Sequence, residues 1–185
     1  MYFLQNLREK LDRLLASTHT DRANTHLIRG EPEKAIRACT YAINAIPDRV
    51  EPYILRGRAY YRLNQFEQAM ADFNRALELN SKLAEIYVYR GLVFHASGDS
   101  HEALADFNLA IYYNPRLEMA YINRGLINEA LGNPLGAIAD YSKAIQLNPH
   151  IAIAYNNRGL VRFNRGDLRG AIADFQRYLA LGGSD

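Results

Sequence analysis

The sequence predicts an all-α solenoid built from antiparallel helix pairs, and three observations carry that expectation. The same residues return at an interval of 34, most legibly in Arg22, Arg56, Arg90, Arg124 and Arg158, four of which are followed directly by glycine (Gly57, Gly91, Gly125, Gly159). Within each period, small and large apolar residues recur at helical spacing on two separate segments. A glycine or asparagine divides those segments, and a proline or serine closes the unit. A unit of this length buries its apolar face against copies of itself, and such stacks mostly bind rather than catalyse.

The first predicted element is an extra helix over residues 2 to 15. Phe3, Leu4, Leu7, Leu11, Leu14 and Leu15 fall on one stripe, with Arg8, Glu9, Asp12 and Arg13 away from it. The expected role of residues 1–15 is a cap over the flank of the first repeat, because the ends of a solenoid must be covered. The mixed sign of the polar face disfavours a membrane-surface helix. Docking into the groove of another copy is the remaining alternative.

Five repeats follow, at 16–49, 50–83, 84–117, 118–151 and 152–183. Numbered from 1 to 34 within each, position 4 is His19, Tyr53, Tyr87, Tyr121 and Tyr155, and position 8 is Ala23 and then the four glycines. Position 20 is Ala35, Ala69, Ala103, Ala137 and Ala171; position 24 is Cys39, Phe73, Phe107, Tyr141 and Phe175. Positions 4, 8 and 11 share one helical face and 20, 24 and 27 another, so each repeat is two amphipathic helices, A and B. Between them position 15 holds Gly30, Asn64, Gly98, Gly132 and Gly166, the two residue types that tolerate positive φ at a helix end. Pro47, Ser81, Pro115 and Pro149 at position 32 end helix B. Position 27 reads Ala42, Ala76, Ala110, Ala144 and then Tyr178, a change that predicts no sixth repeat packing there. The Gly182-Gly-Ser-Asp185 tail, and residues 184–185 above all, are expected to fray.

These residues resemble the tetratricopeptide repeat: an aromatic at 4, Gly at 8, Ala at 20, an aromatic at 24, Ala at 27 and Pro at 32 within a 34-residue helix-turn-helix. The resemblance covers residues 16 to 183, and the variant, as in Tyr155-Asn-Asn-Arg-Gly159, is similar to tandem arrays common in bacteria, cyanobacteria in particular. It implies a right-handed α-solenoid, the tetratricopeptide superhelix, in which the free face of helix A lines a concave surface where partners bind. The first repeat departs most, with His19, Ala23 and Cys39 at family positions. The family usually has an apolar residue at position 7, whereas this chain has Arg throughout, with Asp72, Asp106, Asp140 and Asp174 at position 23 of the last four repeats. In a hairpin turning near position 15, residues 7 and 23 lie across from each other. Structural ion pairs are therefore predicted for Arg56–Asp72, Arg90–Asp106, Arg124–Asp140 and Arg158–Asp174, fixing hairpin register more than adding stability, given the desolvation each charge costs. Arg22 faces Ala38 and needs either water or another partner.

Composition narrows the function. The 185 residues carry 22 basic and 20 acidic side chains, and a formal charge of +2 is too small and too interleaved to argue for nucleic acid. Cys39, the single cysteine, forms no internal disulfide and at a core position is expected to be an inert thiol. The start shows neither a leading basic region nor a long apolar core, so no signal peptide or membrane span is predicted and a cytoplasmic location is expected. There is no Gly-rich phosphate loop, no His-Glu-x-x-His and no Cys-x-x-Cys, and the five histidines occupy unrelated repeat positions. No catalytic residue, metal site or cofactor is predicted, and the chain is read as a non-enzyme.

The groove is the face of helix A opposite the core, positions 2, 6, 9 and 13 flanked by 5 and 12. It predicts a partner-binding surface of Arg58, Arg62, Val88, Tyr89, Leu92, Ile122, Asn123, Leu126, Asn157 and Leu160. Leu92, Leu126 and Leu160 make an apolar line at position 9, joined by Val88 and Ile122 at position 5. Asn123 and Asn157 at position 6 either offer a donor and acceptor to a partner's backbone or are held by water and neighbours. Arg58 and Arg62 could receive a carboxylate. The subfamily that grips acidic chaperone tails needs basic and asparagine residues where this chain has Val88, Leu92, Ile153 and Asn157, which disfavours that partner. The expected function is a non-enzymatic scaffold or adaptor that binds a mainly apolar peptide segment or helix with an acidic end, in assembly of a multiprotein complex. The alternative is a self-associating structural module using the N-terminal helix or the tyrosines Tyr112 and Tyr113.

Overall fold

The computed structural model describes residues 2 to 183, with side chains from Leu4 onward. Among these residues there are ten helices and no strand: α1 (Tyr2–Ile28), α2 (Pro32–Ala45), α3 (Val50–Arg62), α4 (Phe66–Leu79), α5 (Ala84–Ala96), α6 (Ser100–Tyr113), α7 (Glu118–Ala130), α8 (Pro134–Leu147), α9 (Ala152–Asn164) and α10 (Leu168–Ala180). Odd-numbered helices from α1 are the A helices and even-numbered ones the B helices. The chain divides into two compact units, Met1–Val93 and Phe94–Asp185. In the first, α1 packs on α2, α2 on α3 and α3 on α4, and α1 also touches α3. In the second, α6 packs on α7, α7 on α8, α8 on α9 and α9 on α10.

The turn inside each repeat needs a left-handed residue. Asn64 supplies it at φ 57°, matching Gly30 at 72° and Gly132 at 74°, so the substitution preserves the backbone geometry. Beyond the turn, helix A and helix B meet through position 8. A Cβ on Gly57 would stand 2.7 Å from Cε1 of Phe73, and one on Gly125 would stand 2.7 Å from Cε1 of Tyr141. Both rings are completely buried. Repeat one reverses both residues at once: Ala23 and Cys39 lie in the same buried cluster, the alanine methyl filling room that a ring takes elsewhere. Its two departures from the pattern are thus a complementary pair. Burial pushes the Cys39 thiol up to about 12.

The tyrosine at position 4 ties each helix A to the loop before it. Its hydroxyl donates to the carbonyl of position 32: Tyr53 to Pro47 at 3.0 Å, Tyr87 to Ser81 at 2.9 Å, Tyr121 to Pro115 at 3.1 Å and Tyr155 to Pro149 at 3.4 Å. His19 instead stacks on Tyr41, with ring centroids 5.2 Å apart.

The N-terminal cap expected over residues 1–15 is not formed. α1 runs unbroken for 27 residues through residues 15 and 16, because no glycine or proline interrupts it. Leu4, Leu7, Leu11 and Leu14 are each more than half exposed, and the side chain of Phe3 lies outside the described residues. The flank of repeat one is covered by its own polarity. Positions 3 and 10 are buried Ile86 and Val93 in the third repeat and buried Ala120 and Ile127 in the fourth, but exposed Thr18 and Thr25 in the first. At the other end, Gly182 and Gly183 do not fray: Gly183 N donates to the Tyr178 carbonyl at 3.1 Å, and its backbone lies against the Tyr178 ring. Ser184 and Asp185 lie outside the described residues.

Candidate functional site

The position-7 arginines are built into the frame. Arg56 donates from Nε and Nη2 to the two carboxylate oxygens of Asp72, both at 2.8 Å. Arg124 does the same to Asp140 at 3.0 and 2.6 Å, and Arg158 to Asp174 at 2.9 and 2.6 Å. The remaining nitrogen, Nη1, reaches back to position 25 of the preceding repeat: Thr40 from Arg56 at 3.2 Å, Asn74 from Arg90 at 2.8 Å, Asn108 from Arg124 at 2.7 Å and Ser142 from Arg158 at 2.9 Å. Each of these four guanidinium groups also sits 5.6 to 5.7 Å from the centroid of its own position-4 tyrosine ring. One side chain thus links its own helix B, the preceding helix B and a tyrosine. The period of the sequence shows the arginine and the aspartate at once; the third member escapes because threonine, asparagine and serine share only a polar atom. Asp72, Asp106, Asp140 and Asp174 are all buried. Burial pushes the Asp72 carboxyl up against the pull of the Arg56 guanidinium, as expected of a pair that sets register. Arg22, with Ala38 across from it, is exposed on the outer side of α1.

In the first unit the free faces of α1, α3 and α5 line a cavity of about 260 Å³. Arg58 lies in it with its guanidinium 5.1 Å from the centroid of the Tyr89 ring, which stacks in turn on Phe73 at 5.8 Å. Around it stand three carboxylates, Asp21, Glu51 and Glu85, all exposed. Glu51 also accepts from Arg49 Nη2 at 3.5 Å, which leaves Asp21 and Glu85 with the Arg58 guanidinium in the cavity. Arg62 adds nothing to it, because its Nη1 donates to the Leu27 carbonyl. Val88 is buried and Leu92 half-buried. Carboxylates beside Arg58 and the engagement of Arg62 thus disfavour the acidic group expected at these two arginines. Asp21 and its neighbour Asn24 occupy positions 6 and 9 of repeat one; applying the groove positions to that repeat would have found them.

In the second unit the same face is apolar. Leu126 and Leu160 are 38% and 45% exposed, joined by Met119 and Ile153 at position 2, at 47% and 50%. Ile122 is buried, like Val88. Position 5 lies only about 60° from position 8 around a helix, so it belongs to the packed side. The two asparagines face inward as well. Asn123 is buried and its Nδ2 donates to the Met119 carbonyl at 2.8 Å. Half-buried Asn157 bonds to the phenol of Tyr141, which burial pushes above its ordinary pKa. Each amide is thus engaged by a neighbour within its own stack.

Among the described residues no group of three His, Cys, Asp or Glu is placed to hold a metal ion, and no helix is long and apolar enough to cross a membrane. Stacked helix hairpins with a satisfied core and free A-helix faces define an α-solenoid of the interaction-module class. Sequence models of the tetratricopeptide repeat match residues 57–98, 84–117 and 120–185, and the chain belongs to that family. Among solved structures it is similar to MamA, with 25% identity and a TM-score of 0.74 over 86% of this chain and 94% of that one. It is similar in fold to PilF of Pseudomonas aeruginosa at 16% identity and a TM-score of 0.87, over 94% of this chain and 79% of that one. A third likeness is YrrB, described as a TPR protein with an unusual peptide-binding site, at 18% identity and a TM-score of 0.66 over 88% and 84% of the two chains.

Proposed function

We infer that this protein is a non-enzymatic scaffold or adaptor that binds an extended or helical protein segment on the free faces of its A helices, in assembly of a multiprotein complex in the cytoplasm. The observation that carries this is the open apolar set Met119, Leu126, Ile153 and Leu160 on α7 and α9, in a chain whose alanine and aromatic core positions are already filled. Covering what remains exposed of one such leucine is worth about 1 kcal/mol, so the four side chains together can anchor a peptide. The second unit takes an apolar segment against α7 and α9, and the cavity of the first unit, with Asp21, Glu51 and Glu85, takes a lysine or arginine.

Peptides selected by phage display on the purified chain test this. Those bound by the second unit should share an apolar run, and those bound by the first a basic residue. Leu126→Glu combined with Leu160→Glu should abolish binding of the apolar peptides in calorimetry, and Glu51→Lys with Glu85→Lys should weaken that of the basic ones. Selected peptides that bind both variants as tightly as the parent chain would remove the groove from consideration. A second reading, self-association, is favoured by Tyr112, which is 76% exposed and packs edge-on against Tyr113. Light scattering that shows an oligomer lost on Tyr112→Ser would support it.

A further inference from the structure

The N-terminal part of α1 is the feature that neither the solenoid nor its groove absorbs. α2 and α3 are 14 and 13 residues long, whereas α1 has 27. The excess, about one helix length, is a rod of roughly 20 Å. Leu4, Leu7, Leu11 and Leu14 recur on it at intervals of three, four and three, the spacing of the a and d positions of a two-stranded coiled coil. They are 69%, 55%, 53% and 64% exposed. A helix of this length is marginal by itself in water, and a partner laid along the seam would complete it.

We propose that residues 4 to 15 form one half of a coiled coil whose other half is a helix of a different protein, with a leucine-type seam flanked by acidic residues. The charges beside the leucines identify that partner. On a helical wheel Arg8 and Lys10 border the seam on its two sides, at the e and g positions, while Glu9 and Asp12 lie behind. Further along α1 the same stripe continues through exposed Arg22 and Arg29. Arg22 is the one position-7 arginine with an alanine where the others have an aspartate, so its charge faces outward. A second copy of this chain fits poorly. Antiparallel pairing through the leucines sets Arg8 against Arg8 and Lys10 against Lys10, and parallel pairing sets Lys10 beside Leu15 and Arg22 beside Ser17, which gives neither cation an acidic partner. A membrane surface fits poorly too, because the apolar stripe is narrow and the polar face carries Glu9 and Asp12.

The test uses the full chain and two synthetic three-heptad peptides, both with leucine at a and d, one with glutamate and one with lysine at e and g. In fluorescence anisotropy the glutamate peptide should bind and the lysine peptide should bind at least roughly tenfold more weakly. Arg8→Glu with Lys10→Glu should invert that preference. Leu7→Glu with Leu11→Glu should abolish binding while the thermal melt of the solenoid stays in place, and Leu126→Glu should leave binding unchanged, which separates this surface from the groove. Equal binding of the two peptides, no binding of either, or loss on Leu126→Glu overturns the proposal. So does a concentration-dependent dimer that Leu11→Glu dissolves, which assigns the seam to a second copy. Sedimentation of the chain with phosphatidylglycerol vesicles overturns it in favour of a membrane.

Discussion

Replacing Gly57 by alanine would test the packing rule that joins the two helices of a repeat. The new methyl would stand 2.7, 2.9 and 3.0 Å from three carbons of the Phe73 ring, where carbon atoms are comfortable at about 3.5 to 4.0 Å. Phe73 is wholly buried, so the ring has no free space to swing into. Overpacking of this kind costs about 1 to 3 kcal/mol, and alanine returns about 1 kcal/mol through its higher helix propensity. The net loss is about 1 kcal/mol. Phe73→Cys alone opens a cavity and costs about 3 to 4 kcal/mol. Together the two changes recreate the Ala23 and Cys39 pair of repeat one: the overlap vanishes, the propensity gain stays and the methyl fills part of the cavity. The double variant should lose only about 2 kcal/mol, less than the sum of the single losses by roughly that much again. Urea unfolding followed by far-UV circular dichroism, with an unchanged m-value, gives the three differences. Single losses that add to within about 0.5 kcal/mol, or a Gly57→Ala chain as stable as the parent, would show that ring and backbone are not coupled in this way.

Three further outcomes follow from named groups. Arg56→Met should destabilise by about 3 to 5 kcal/mol because it strands the buried Asp72, whereas Arg56→Met with Asp72→Leu should recover most of the loss; equal stability of the two variants in urea unfolding would contradict this. The Cys39 thiol, pushed up to about 12 and fully buried, should not react with a disulfide reagent at pH 8 until denaturant is added, and prompt labelling of the native chain would refute its inertness. Hydrogen bonds from Lys34 and then His26 hold Glu31 below its ordinary pKa, so its support of the first turn is complete above the unfolded value and lost as pH falls through the folded one. Amide exchange at Gly30 and Glu31, corrected for intrinsic rate, should therefore lose protection between pH 5 and pH 3, and constant protection would count against the link.

What the sequence made legible was whatever repeats. Asn64 could be read as a turn residue because four glycines share its place, and Asp72 as facing Arg56 because the same pair recurs. The groove was harder, since its residues differ from repeat to repeat and only helical geometry locates them. Leu126 and Leu160 came out open as expected, while Val88 and Ile122 did not, because the side of a helix next to the core face is packed by neighbours whose size no single position reveals. Asn123 illustrates a different limit: whether an amide faces a partner or its own helix depends on a rotamer that composition does not encode. The straight course of α1 was written in the absence of any helix breaker near Leu15, but the expectation that solenoid ends are covered outweighed that local signal.

The three-way arginine junction bears on how such an array can grow. Its parts come from adjacent copies: Asp72 and Arg56 from one, Thr40 from the one before. A tandem duplication of any 34 residues between repeats two and five, begun at any point in the period, would regenerate a complete junction at each new boundary. Lengthening by whole units is therefore chemically neutral at these junctions, whereas an insertion of any other length between an arginine and its aspartate would shift the one off the other. Repeat one stands outside that exchange, because with Ala38 in place of the aspartate it would break the series wherever it was copied inward.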